Sequence, residues 1–476
     1  MQMSSANQLT SSGIMSRGWM KFKTMPEGLK EKVLNTYRKT KEIGQEDPRR
    51  VIHALKVGLT LTLVSLFYYY QPLFDNFGLS AMWAVMTVGV VFEYSVGATL
   101  GKGLNRALAT LVAGALGVGT HYLAELSGQT IEPILLSFFV FSQAAIVTFM
   151  RFFPKIKERY DYGLLIFILT FALISVSGFR EDEVIEMAHK RLSTIFIGGS
   201  ACVVISIFVC PVWAGEELHS LISLNLEDLA NFLQAFEELY FRTSKEGDCK
   251  DDRTALLEGY KTVLNSKSTE DSLANFARWE PGHGRFKFRH PWDKYLKVGT
   301  LTRQCAYRME ALNAQLNSNL QASPEIKRII QEACSAMSLE SAKALRQLGV
   351  AMSTMKKPYF ANIHISNSKS ASESLNSLLK SSLWKETDLL SVLPAATVAS
   401  LLSDIVACTE EIADAVHELP SLTEFDTIET AKPPDRAQST PHGDNNSHVV
   451  ILVEDSTLAN LPESKSLSDQ HKTNRV

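Results

Sequence analysis

The feature that most constrains this chain is a dense series of long apolar segments in its first half. Six segments within about 165 residues approach the roughly 17–25 residues that a helix needs to cross a bilayer. They could instead be buried core helices of a soluble bundle, but their close spacing along the chain favours membrane insertion. The six predicted spans cover residues 51–70, 81–100, 107–124, 133–149, 162–178 and 193–213.

The second half of the chain is more polar and has a different periodicity. From about residue 216 apolar residues recur at three- and four-residue spacing, which is typical of amphipathic helices. We therefore predict an all-α protein in which a six-helix transmembrane domain is followed by a bundle of helices. The predicted divisions are a cytosolic arm at 1–50, the transmembrane domain at 51–213, a cytosolic helical domain at 214–424 and a disordered tail at 425–476.

Basic residues alternate between the connections of the predicted spans. The connections at 71–80 and 125–132 contain no Lys or Arg, whereas the arm and the other two short connections are basic. Because Lys and Arg accumulate on the cytoplasmic side, we expect both termini to be cytosolic. The basic residues include Lys30, Lys32, Arg38, Lys39, Lys41, Arg49 and Arg50 in the arm, then Lys102 and Arg106, and then Arg151, Lys155, Lys157 and Arg159.

Two arginines adjoin or enter the apolar spans. Arg106 opens the third span, and Arg191 lies at the start of the last apolar stretch. A guanidinium that faces hydrocarbon costs at least about 2.5–3.5 kcal/mol, so membrane arginines normally face protein or a wet cavity. These residues therefore suggest a path for anions. Lys102 shares a helical face with Arg106, and Glu93 and Lys56 are candidates to pair with other charges or to cap a pore.

A simpler interpretation of Lys102 and Arg106 also remains open. Both residues lie at the border of a predicted span, where they could be interfacial cations that only follow the orientation rule. Their four-residue spacing is compatible with either interpretation. Arg191 is harder to explain in this way.

The connection between the fifth and sixth spans is acidic. Asp182 and Glu186 would share a helical face, and Asp75 from the first outer connection could approach them. Three carboxylates from two loops suit a hard cation, whereas the absence of His and Cys argues against zinc. The alternative is a solvated helix start whose carboxylates favour the positive end of the helix dipole. His283 and His290 fall near a Pro and Gly turn, where packing is favoured over metal binding.

Several long motifs resemble one known family, the plant aluminium-activated malate transporters. The resemblance runs from about residue 46 to about residue 420, and the blocks after residues 151 and 279 are the most specific. The motifs are EDPRRVIHALKVG (46–58), AMWAVMTV (81–88), FEYSVGATLGKGLNRALATL (92–111), RFFPKIKERYDYGLLIFILTFALISVSGFR (151–180), CPVWAGEELH (210–219) and WEPGHGRFKFRHPW (279–292).

The resemblance implies a homodimeric anion channel with six membrane helices per subunit and a cytosolic helical domain. Such channels pass malate, inorganic anions and other carboxylates. By similarity, Arg106 and Arg191 match the arginines that line the pore, with Lys102 close to them. Asp75, Asp182 and Glu186 fall where aluminium-responsive members bind the external ion. The family also contains members that ignore aluminium, so a response in this chain stays open.

Two other functions are compatible with a membrane protein of this pattern. A secondary transporter with alternating access would carry the same anions, and a membrane-anchored interaction protein would explain the second half but not Arg191. Enzymatic and nucleotide-binding motifs are absent, and no basic domain indicates nucleic acid. Apart from aluminium as an activator we expect no cofactor; the expected partners are malate and other anions, the bilayer and a second subunit. The plasma membrane is favoured over the vacuolar membrane.

Overall fold

The apolar segments of the first half fold as helices of unequal length. The structure is a computed structural model that describes residues 27–70, 81–128, 130–178, 184–241, 250–287, 290–316, 318, 322–380 and 389–422. Its described part contains fourteen helices and, outside them, one isolated bridge between His283 and Phe286. The predicted all-α class is confirmed. The helices are α1 Glu27–Glu46, α2 Pro48–Tyr69, α3 Ala81–Val91, α4 Val96–Glu125, α5 Glu132–Met150, α6 Pro154–Gly178, α7 Val184–Phe208, α8 Ala214–Phe241, α9 Lys250–Asn265, α10 Lys267–Ala277, α11 Trp292–Leu316, α12 Pro324–Thr354, α13 Ala361–Leu379 and α14 Leu389–Leu422.

Most of the predicted spans correspond to single helices. In the part of the chain that is described, five helical stretches are long and apolar enough to cross a membrane. Four of them lie in α4, α5, α6 and α7 and contain or overlap the third to sixth predicted spans. The fifth lies in α14, and α2 carries the first predicted span. The prediction of several membrane helices is therefore confirmed, although the count of six is not.

The second predicted span, 81–100, is wrong as a single helix. Helix α3 ends at Val91 and α4 begins at Val96, where the Ser95 hydroxyl accepts a hydrogen bond from the Ala98 amide at 3.3 Å. Serine at this N-cap position stabilises a new helix start and so interrupts the apolar run. The eleven residues of α3 span only about 16 Å, roughly half of a hydrocarbon core.

Small residues let some of these helices approach closely. A Cβ atom on Gly198 of α7 would lie 2.6 Å from the Ala84 carbonyl of α3, and one on Gly117 would lie 2.9 Å from Ile174. Ala113, one turn before Gly117 on the same helix, is fully buried. No described atom lies within 4 Å of the Cβ position of Gly119, two residues further along.

The seven helices that the structure describes after residue 213 share one large apolar core. Helix α8 packs against α12, and α11 packs against α14. Although α14 is apolar enough to cross a membrane, Val398, Leu402 and Ile405 are buried in this core beside residues of α8 and α12. The predicted bundle of amphipathic helices is confirmed. The domain boundaries themselves stay predictions, and nearly all of the predicted tail at 425–476 lies outside the described residues.

Candidate functional site

Helix α4 carries Lys102 and Arg106 on one face, and the break between α3 and α4 fixes where this helix begins. The Thr99 hydroxyl accepts a hydrogen bond from the Glu93 amide at 3.1 Å and lies 3.2 Å from the Glu93 carbonyl oxygen. The amide of Val96 donates to the carbonyl of Val212, at a distance of 2.9 Å. The start of α4 is thereby tied to the segment that connects α7 with α8.

Lys102 lies two turns along α4 and forms an ion pair across the break. Its ammonium group binds the carboxylate of Glu93, and it also lies 5.6 Å from the centre of the Tyr162 ring on α6. The prediction that Glu93 pairs with a cation is confirmed. Both side chains are about one-third exposed, so the negative charge of Glu93 offsets that of Lys102 at a site that solvent reaches.

Arg106 lies one turn further along the same face and is buried. Its Nη1 atom donates to the Tyr162 hydroxyl at 3.2 Å, and its Nε atom has no hydrogen-bond partner among the described residues. The described part of the chain places no carboxylate within salt-bridge distance of it. A guanidinium carries five N–H donors and cannot lose its charge in a protein. Arg106 therefore presents positive charge and unfilled donors inside the protein.

Arg191 lies on α7 beside a different aromatic residue. The central carbon of its guanidinium is 4.6 Å from the centre of the Trp83 ring on α3. Such contact with the negative face of an indole stabilises a cation without neutralising its charge. Helix α7 packs against both α3 and α4. The described contacts thus bring Lys102 and Arg106 to Tyr162, and Arg191 to Trp83.

Lys56 serves a different purpose from the charge pairing considered from the sequence. It is 3% exposed, and its ammonium group donates to the carbonyl of Cys210 at 3.1 Å. Cys210 has a φ angle of 43° and follows the end of α7. The contacted carbonyl lies two residues beyond the end of α7. Lys56 therefore holds α2 against the segment that follows α7.

The segment after α10 closes against the start of α4. A Cβ atom on Gly97 would lie 2.3 Å from the Phe276 carbonyl oxygen, and one on Gly101 would lie 3.0 Å from the Trp279 ring. The centre of the same indole lies 4.9 Å from the Arg159 guanidinium. The backbone carbonyl of Arg159 accepts a hydrogen bond from the side-chain amide of Asn105 at 3.1 Å. Because Gly101 is five residues from Arg106, this contact lies only about 8 Å along the helix axis from the buried cation.

Glu280 joins this segment to the first turn of α8. It is 5% exposed, and its two carboxylate oxygens accept hydrogen bonds from the amides of Ala214 at 2.6 Å and Gly215 at 3.1 Å. Burial raises the pKa of Glu280 to about 7, against the opposing effect of these backbone hydrogen bonds. The junction between the two halves of the chain therefore contains a carboxyl group that titrates near neutral pH.

The predicted outer cation site lies largely outside the described residues. Asp75 and Asp182 fall at 71–80 and 179–183, and of Glu186 only the backbone, in the first turn of α7, is described. The described residues hold no group of three or more His, Cys, Asp or Glu side chains arranged to bind a metal. The aluminium site stays a prediction.

The two histidines after α10 serve packing, as predicted. The His283 ring stacks on Trp213 with ring centres 3.8 Å apart, and His290 Nε2 lies 3.2 Å from the Tyr295 hydroxyl. Burial lowers the pKa of His290 to about 4, so this imidazole is neutral at physiological pH.

Sequence reasoning missed the aromatic partners of the cations. Tyr162 opens the fifth predicted span, Trp83 lies in the second, and Trp279 begins the motif after α10. Aromatic residues at span borders are usually interpreted as interfacial anchors. Their pairing with Arg106, Arg191 and Arg159 depends on contacts between helices far apart in the sequence, which no local pattern contains.

This chain is similar to known proteins that share one name. The family model described as aluminium activated malate transporter matches residues 41–384. Aluminum-activated malate transporter 2 of Arabidopsis thaliana is 55% identical over 447 residues, which cover 92% of this chain and 89% of that protein. Aluminum-activated malate transporter 1 of Triticum aestivum is 48% identical over 414 residues, which cover 85% of this chain and 89% of that protein.

Proposed function

The chain belongs to the aluminium-activated malate transporter family, and on that premise we propose that it is a channel for malate and other anions. It is a multi-pass membrane protein, and the members of its family are transporters and not enzymes. The proposal adds a mechanism. Cations beside the membrane helices attract an anion, and they release it quickly because no cage closes around it.

The observation that carries the proposal is the state of Arg106. It is 7% exposed, it touches Tyr162, and its Nε atom has no partner among the described residues. An arginine kept inside a protein for structural reasons is normally paired, because an uncompensated buried charge is costly. A passing carboxylate or inorganic anion supplies the missing acceptor, which makes Arg106 a selectivity group.

Arg191 supplies a second cation to this mechanism. The face of Trp83 holds its guanidinium in place. In a two-fold dimer the two arginines of each subunit become four positive charges around one axis, which attract anions and repel cations. Lys102, which Glu93 partly offsets, serves as the funnel on the cytosolic side.

Recording malate currents from clamped cells tests this assignment. Arg106→Gln removes the buried charge, and we expect it to reduce malate current at least about tenfold at equal surface expression, since a unit charge at close range is worth a few kcal/mol. Arg191→Gln should act in the same direction. Arg151→Gln is the matched control, because Arg151 already pairs with Asp161 at 2.7 Å. Normal current from Arg106→Gln would remove Arg106 from the pathway.

Secondary transport with alternating access is the second candidate function. The break between α3 and α4 raises it, because interrupted helices often border the substrate site of secondary transporters. Here the interruption at 92–95 is closed by contacts to Thr99 and Val212, which argues for a fixed turn instead of a moving gate. Unitary current steps in excised patches would support a channel. Malate flux that saturates at carrier rates without such steps would support the transporter.

The proposal also includes a location and a modulator. We place the protein in the plasma membrane as a homodimer with both termini in the cytosol. External aluminium would act on the opposite side of the membrane, through Asp75, Asp182 and Glu186. Asp182→Asn should abolish any aluminium-dependent increase in current and leave the basal malate current intact. Recordings with and without external aluminium, together with fluorescent tagging in plant cells, test the modulator and the membrane separately.

A further inference from the structure

Helix α1 keeps a set of apolar side chains uncovered. It spans Glu27–Glu46 and ends one residue before α2, the helix that carries the first predicted span. Leu29, Val33, Tyr37 and Ile43 are between 42% and 67% exposed. Leaving apolar side chains of this size exposed to water costs free energy, so this surface is expected to be covered.

These residues form one stripe along the helix. Leu29, Val33 and Tyr37 recur every four residues, and Ile43 falls on the other side of Leu29, so the stripe covers about 120° of the helix surface. Thr36 and Thr40 lie within it. Their hydroxyls donate to the carbonyls of Lys32 and Thr36, each at 2.8 Å. Because both hydroxyls are satisfied inside the helix, the stripe can enter an apolar medium at little cost.

Charge is distributed symmetrically around the stripe. Lys30 and Lys41 lie along one edge of it, and Lys32 and Lys39 lie along the other. The opposite face of the helix carries Leu34, which is 41% exposed, and Arg38, together with the acidic residues Glu31, Glu42 and Glu46. Lysines beside an apolar stripe can bury their hydrocarbon stems and raise their ammonium groups to the level of lipid headgroups.

We propose that α1 lies on the membrane surface and binds anionic lipid headgroups through these lysines. The covalent connection supports a lipid partner, because Asp47 alone separates α1 from α2, the helix that carries the first predicted span. Asp47 accepts a hydrogen bond from the Arg49 amide at 3.0 Å, and Pro48 follows it, so one helix ends and the next begins at this point. The apolar stripe then faces the acyl chains while the acidic face meets water.

This surface helix adds a lipid-binding function to the protein. It depends on the insertion of α2 into a membrane, and it does not depend on the conduction of anions. A second copy of the chain fits the surface less well, because identical lysine rows would meet across a two-fold contact and repel each other.

Hydrogen exchange on the full-length protein in nanodiscs tests the proposal. An isolated helix of this length is marginal in water, so slow exchange of the amides at 27–46 reports binding. We expect exchange at least about tenfold slower in nanodiscs of phosphatidylcholine with phosphatidylglycerol than in phosphatidylcholine alone. Replacing Lys30, Lys32, Lys39 and Lys41 by Gln should remove that difference.

Two variants with equal numbers of substitutions separate the faces of the helix. Val33→Gln with Tyr37→Gln should restore fast exchange in both kinds of nanodisc, whereas Glu31→Gln with Glu42→Gln should keep the protection. Equal exchange in both lipid compositions and in detergent would overturn the proposal. Protection that ignores lipid composition, together with a disulfide-linked dimer through Val33→Cys, would assign the stripe to a second copy and would also overturn it.

Discussion

Two buried arginines in this molecule differ in whether a carboxylate compensates their charge. Arg303 on α11 binds Glu270, a fully buried carboxylate that also accepts a hydrogen bond from Ser266 at 2.6 Å. Arg106 on α4 has the Tyr162 hydroxyl at 3.2 Å and an Nε atom without a partner in the described part of the chain. The C-terminal helices neutralise a charge that they bury, and the membrane helices leave one uncompensated. A charge that contributes nothing to an internal ion pair is free to act on an anion.

The largest effect should come from breaking the neutralised pair. Arg303→Gln leaves the Glu270 carboxylate buried without its cation, which we expect to cost about 3–5 kcal/mol of unfolding free energy. Thermal unfolding of the purified protein measures the loss. Lys369→Gln is the control, because Lys369 and Glu410 form a pair in which both side chains are at least 40% exposed, so its loss should cost less than about 1 kcal/mol.

The same measurement on Arg106→Gln sharpens the contrast. Removing an uncompensated buried charge should leave the unfolding temperature unchanged or raise it, because the folded state no longer has to hold that charge. The opposite order, in which Arg106→Gln unfolds the protein and Arg303→Gln does not, would show that Arg106 is structural.

A smaller effect should appear at Glu280, where the two halves meet. Burial raises the pKa of this carboxyl from its ordinary 4.5 to about 7. Below pH 4.5 the folded and unfolded chains are both protonated. Between pH 4.5 and about 7 the unfolded chain loses its proton while the folded chain keeps it, so rising pH favours unfolding. The contribution of Glu280 to stability should therefore fall across this window by about 1–3 kcal/mol.

Unfolding temperatures from pH 4.5 to 8 test this linkage. Glu280→Gln cannot titrate, so the difference between wild type and this variant should change with pH and level off above pH 7. Glu216→Gln, at an exposed neighbour of α8, should keep the wild-type profile. Profiles for wild type and Glu280→Gln that run parallel over the whole range would contradict the assignment.

Hydropathy and charge predicted the helical class and most of the spans, and they singled out Arg106 and Arg191 as candidate pore residues. These properties are local, since each depends on residues within a few turns of one another. The break at Ser95 escaped because a single N-cap hydrogen bond outweighed a continuous apolar run. The partners of the cations escaped for a different reason. Tyr162 is 56 residues from Arg106, and helix packing alone brings the two together.

Helix α1 shows the same limit in the other direction. From the sequence we predict only a cytosolic arm at 1–50, and the structure adds a helix in it whose apolar residues and lysines follow a regular spacing. Composition alone assigns such a segment to solvent, because its average hydropathy is low. The arrangement of residues around the helix axis, and not their average, indicates a membrane surface.

The smallest expected effect concerns the pair of Glu93 and Lys102. Its charge compensation is intermediate between that of Arg303, which is paired, and that of Arg106, which pairs with no described carboxylate. Lys102 is offset by a carboxylate that solvent reaches, so its charge is only partly available to an anion. Glu93→Gln should release it and raise malate current about two- to fivefold at low ionic strength, with a smaller gain at high salt because screening weakens the added field. Glu373→Gln, at an exposed position on α13, should leave the current unchanged. If Glu93→Gln lowers the current at equal expression, the carboxylate holds the start of α4 in place, and Lys102 is not a funnel for anions.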